Sequence, residues 1–138
     1  MGLRYEWDDD SHVTMNLYME APWTWEEFQE VSRTVYGMIG KLNHPCATVV
    51  NIEKMGQIPK GNVLAHLQQL DRIIPPNVVV SVMVGVPYAA TVFMSMLNKI
   101  RPSTQRITAF VRTTEEAREL VQKRLSEHET ISNRGKLR

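Results

Sequence analysis

At 138 residues, 43% hydrophobic and with a formal net charge of +1, the chain has the size of one domain with a sizeable core. It lacks the global field that draws a protein to nucleic acid or to an anionic membrane. Cys46 is its single cysteine, which excludes an intrachain disulfide and fits a reducing, cytoplasmic setting. No window approaches the roughly 18 apolar residues of a membrane span. "MGLRYEWDDD" carries neither an apolar run nor a cleavage signal, so neither a secretion signal nor a membrane partner is expected. Glu6 stands where a myristoylation motif requires Ser or Thr.

"LRYEW" alternates, with Leu3, Tyr5 and Trp7 on one face, and so does "VTMNLYM", with Val13, Met15, Leu17 and Met19 on one face. The polar turn "DDDSH" between them makes the two runs a hairpin. "PWTWEEF" opens the first helix. Thr24 is placed to cap it with Glu27 three residues on, and Trp23 and Phe28 flank the cap as a hydrophobic staple. Trp25, Phe28, Val31 (or Ser32), Val35, Ile39 and Leu42 recur at helical spacing, which carries the helix to roughly residue 42.

"HPCATVVNI" holds a continuous β-branched run, as a strand buried on both faces requires. "GQIPKG" is a loop. Asn62 caps a second helix with Val63, Leu67, Leu70 and Ile74 on its inner stripe, and the prolines at 75 and 76 stop it. "VVVSVMVGV" is a fourth strand. "PYAATVFMSMLNKI" is a third helix, with Pro87 early, where its missing N–H costs little. "RITAFV" is a fifth strand. Thr113 and Glu116 cap a last helix whose inner face carries Ala117, Leu120, Val121 and Leu125. The order β-β-α-β-α-β-α-β-α predicts an α/β fold, a mixed sheet of about five strands with an N-terminal hairpin, covered by about four helices. Residues 1–125 form one domain, and 126–138 form a polar C-terminal tail that frays.

The chemistry-bearing residues do not converge. His12, His44, His66 and His128 fall in a turn, a loop, a helix and the tail, none at metal-ligand spacing with Cys46. Asp8, Asp9 and Asp10 are consecutive and cannot easily meet on one cation, so they read as a solvated turn. Cys46 lies two residues from His44, yet at a strand start it reads as a small buried apolar group. "GQIPKGN" lacks the Lys-Ser/Thr ending of a phosphate loop. Glu26 and Glu27 suit the first turn of a helix without any catalytic role. The expectation is a protein that is not an enzyme and needs no cofactor or metal. Charge is uneven, with eight acids against Arg4 in residues 1–30 and ten Lys/Arg against five Glu in residues 99–138. This reads first as ordinary solvated faces and second as a surface for an acidic partner or a head-to-tail contact.

This order of elements resembles the STAS-like fold of bacterial anti-sigma factor antagonists over residues 3 to 125. The resemblance is carried by "PWTWEEF", "VVNIEKMGQIP", "VMVGVP" and "TTEEARELV". It implies a cytoplasmic regulatory module that works by protein contact. In that family a strand-end Asp and an Asp-Ser-Ser/Thr-Gly loop precede the second helix. Here Asn51 takes the strand-end position, and Pro59, Lys60, Gly61 and Asn62 take the loop. Gly61 falls where the phosphorylated serine belongs, so the switch is missing at that place.

The helix expected over 87–100 is apolar almost all round, beyond what a one-sided cover helix needs. Tyr88, Met94 and Leu97 spill over its edge and are the candidate dimer or ligand surface. They predict a homodimer with Met94 and Leu97 at its seam or, alternatively, a groove for an apolar small molecule or lipid.

Overall fold

The computed structural model describes residues 2–85, 91, 95–96, 99–100 and 102–136. Its elements in chain order are β1 (Leu3–Trp7), β2 (Thr14–Glu20), α1 (Trp25–Gly40), β3 (Cys46–Lys54), α2 (Val63–Ile73), β4 (Val78–Val84), α3 (Pro102–Ile107), β5 (Thr108–Val111) and α4 (Thr114–Lys136). The fold is α/β, and the strands form one mixed sheet in the order β1-β2-β3-β4-β5. β1 runs antiparallel to β2 as the hairpin requires, and every later neighbour is parallel.

The alternation of the strands divides the core into two sides. Met15 and Met19 of β2 and Cys46 and Ile52 of β3 face α1 and α2. Ala47, Val49, Val80, Val82 and Val84 face Ala117 and Val121 of α4 on the other side. β3 and β4 are therefore buried on both faces, which is why their sequences are continuous apolar runs rather than alternating ones. A register irregularity between Cys46 and Ala47 lets Val78 pack with the first side while Val80 packs with the second.

α1 starts as its sequence requires. Glu27 N donates to Thr24 Oγ1 at 3.1 Å, and the rings of Trp23 and Phe28 lie 6.0 Å apart across the cap. The Glu27 carboxylate accepts from Gly2 N at 2.9 Å and so ties the helix start to the N-terminal strand. Ser32 rather than Val31 takes the buried position on the inner stripe. The far end of α1 is held by a residue the periodicity does not mark. Asn77 Nδ2 donates to Ile39 O at 2.8 Å and to His44 O at 3.2 Å, adding a side-chain donor to Ile39 O, which also accepts from Leu42 N at 3.0 Å, and tying the helix end to the loop that follows.

Three expectations are corrected. The fifth strand begins at Thr108, not Arg106, because residues 102–107 form a short helix with Pro102 at its first position. A six-residue helix is too short to show a period in the sequence. α4 is helical to Lys136, so the tail expected from residue 126 continues the helix. Once Thr113 Oγ1 has accepted from Glu116 N at 3.1 Å, each added residue forms a bond at little further cost, and a polar segment can propagate. Ile74 is not in α2 but is its C-cap, since the residue before a proline avoids the helical region. Of the helix expected over 87–100, only residues 91, 95–96 and 99–100 are among those described.

Candidate functional site

The loop between β3 and α2 is built on the aromatic cluster of α1. Trp23 Nε1 donates to Met55 O at 2.8 Å and Trp25 Nε1 to Pro59 O at 3.0 Å, so two indoles hold the loop at its start and at its middle. Asn62 caps α2 as expected, its Oδ1 accepting from Ala65 N at 3.1 Å. His66, one turn into α2, lies flat on the Trp25 ring at 4.3 Å, and its Nδ1 is 3.1 Å from Gln29 Nε2. Gln57, Lys60, Gly61 and Asn62 face solvent above this floor. The rings of "PWTWEEF" thus pack against one another and against the loop, and His66 covers the outer face of Trp25.

Gly61 has φ +138, a conformation side-chain-bearing residues rarely adopt. A Cβ there would stand 3.3 Å from Trp25 Cδ1. Position 61 therefore has no hydroxyl and a backbone shaped for glycine. Asn51 does not end its strand, because β3 continues to Lys54. Its Oδ1 accepts from Glu53 N at 3.0 Å. It borders a polar groove of about 440 Å³ between the sheet and α4, together with Asn16, Tyr18, Arg118 and Gln122. Asn51 and the loop are thus separate features.

On the α1–α2 side a cavity of about 100 Å³ lies between the sheet and the helices. Its walls are mostly apolar, among them Phe28, Leu67, Leu70, Met83 and Phe110. Its polar rim is ordered. Thr48 Oγ1 donates to Ser81 Oγ at 2.7 Å. Burial pushes the Tyr36 phenol up, while hydrogen bonds with Thr48 and Ser81 oppose that shift. Asp71, 6% exposed, is the buried residue of α2 and accepts a hydrogen bond from the Thr104 hydroxyl. Sequence periodicity passed over Asp71 because a charged residue on an apolar stripe reads as solvated. The signal that marks it is its position, directly after Leu70 on the inner face.

Cys46 is 0% exposed. Its Sγ is 3.7 Å from His44 Nδ1, but burial pushes the thiol up, the reverse of what an activated nucleophile requires. In the hairpin turn, Ser11 donates its hydroxyl and its amide to Asp9 and holds that carboxyl below its usual range. Asp8 accepts from Asn16 Nδ2 at 3.0 Å. Among the described residues no group of three or more His, Cys, Asp or Glu is placed to hold a metal ion, and no helix is long and apolar enough to cross a membrane. Tyr88, Met94 and Leu97 lie outside the described residues. Compared with known proteins, the chain matches no protein-family model and no curated protein.

Proposed function

We propose that this chain is a STAS-like, non-enzymatic module that acts in the cytoplasm by protein contact, with the β3–α2 loop as its contact surface. The observation that carries this reading is the loop itself. It is held from beneath by Trp23, Trp25 and His66, and it presents Lys60, Gly61 and Asn62 to solvent in one shape. A pre-ordered surface binds without the cost of ordering on contact. With glycine at position 61, phosphate cannot be added there, so the contact is constitutive. Affinity purification with mass spectrometry from native extract tests this. The parent should recover a partner that Lys60→Glu loses, and absence of any stable partner under all conditions would count against the reading.

A second reading, binding of an apolar small molecule, is favoured by the cavity beside Phe28, Leu70 and Phe110. Apolar walls with a few convergent polar groups are the usual lining of such sites, and at about 100 Å³ this one fits a very small ligand. Native mass spectrometry of protein purified without detergent should then show an adduct. Bare protein alone would remove this reading.

A further inference from the structure

β1 is an edge strand, since the sheet begins with it, and an edge carries unpaired backbone groups that can template another strand. Which groups are free follows from the ladder. Glu20 N donates to Gly2 O, and Asp8 N donates to Thr14 O. The hydrogen-bonded pairs with β2 therefore fall on the even residues of β1. Leu3, Tyr5 and Trp7 occupy the alternate pairs and turn their N–H and C=O groups toward the free edge. Leu3 N–H is already met by the Glu27 carboxylate, which leaves Leu3 C=O and both groups of Tyr5 and Trp7.

The side chains of this edge are self-complementary. When "LRYEW" is laid antiparallel on itself about Tyr5, Leu3 faces Trp7, Arg4 faces Glu6 and Tyr5 faces Tyr5. Arg4 and Glu6 are both exposed, and they would fall on a non-hydrogen-bonded pair, where side chains approach most closely. Tyr5, at 39%, is the exposed large hydrophobic residue among those described. In this register Tyr5 exchanges both backbone bonds with its counterpart, and Leu3 C=O accepts from Trp7 N–H of the second copy, while Leu3 N–H stays with Glu27. The acidic turns at Asp8–Asp10 stay at opposite ends of the seam. Like charges at both positions 4 and 6 would have blocked such pairing; opposite charges favour it. β5 at the other edge, "TAFV", has no such charge symmetry.

We propose that β1 pairs antiparallel with β1 of a second copy of this chain, centred on Tyr5, so that two five-stranded sheets join into one continuous sheet. This seam is independent of the β3–α2 loop, and it differs from the one expected at Met94 and Leu97.

Sedimentation equilibrium of the full chain tests the proposal. The parent should dimerise. Arg4→Glu and Glu6→Arg should each weaken self-association about tenfold or more, because each sets like charges opposite one another twice. Mixed together, the two variants should form a heterodimer of near-parental affinity, since every facing pair is again opposite in charge. Hydrogen exchange separates this from loss of fold: Tyr5 N–H should be protected in the parent and exposed in either variant alone, while the β3 and β4 amides stay protected in all three. A parent that stays monomeric at high concentration overturns the proposal. So does a parental dimer whose affinity both variants leave unchanged, or a pair of folded variants that fail to associate on mixing.

Discussion

Gly61 shows how one residue's backbone limits what can stand in its place. With φ +138 and Trp25 Cδ1 3.3 Å from where a Cβ would stand, a side chain there is strained whichever residue supplies it. Gly61→Ser should therefore cost about 1–3 kcal/mol, read from chemical denaturation. A Gly61→Ser variant as stable as the parent would show that the loop relaxes freely. Asn77 acts in the same local way at the end of α1. Its amide donates to Ile39 O and His44 O, so Asn77→Ala should cost about 1–2 kcal/mol. Asn77→Asp should cost more, because it turns an acceptor toward those carbonyls. Parental stability of Asn77→Ala would mean that the amide's donors contribute nothing.

At the scale of the element, the start of α1 joins secondary structure to site. Thr24→Ala removes a cap bond and should cost about 1 kcal/mol. Trp23→Ala should cost about 3–5 kcal/mol, because the ring is buried among Trp25 and Phe28 and its Nε1 also holds Met55 O. The two variants should also differ in the loop. Trp23→Ala should speed exchange of the Gly56–Gly61 amides, and Thr24→Ala should not. Thermal melts of both variants that overlay the parent would mean the helix begins elsewhere. The capping boxes were plain in "TWEE" and "TTEE" because a cap is a contact between residues three apart. α3 was not, because its six residues span too little sequence for a period to repeat.

At the scale of the whole molecule, protection should follow burial of the sheet. β3 and β4 have strands on both sides and core on both faces, so their amides should exchange slowest, near the global opening free energy. The second half of α4, beyond Leu125, the last of its residues packed on the core among those described, should exchange fastest among the helices. A uniform exchange rate along α4 would contradict this division.

The sequence by itself determined the order of the five strands with α1, α2 and α4, the hairpin, both buried strands and three helix caps. Each of these follows from spacings of two to four residues or from a continuous apolar run. It also determined that residue 61 bears no hydroxyl. Tertiary structure alone decided that Trp25 supports the loop from 34 residues away, and that Asp71 is buried against Thr104, 33 residues on. It decided too that Asn77 closes α1, and that Asn51 borders the groove beside α4 rather than the loop. The reason is physical. Periodicity reports which face of an element is apolar, but the partner of a polar group depends on which elements the sheet order brings together, and no local pattern carries that information.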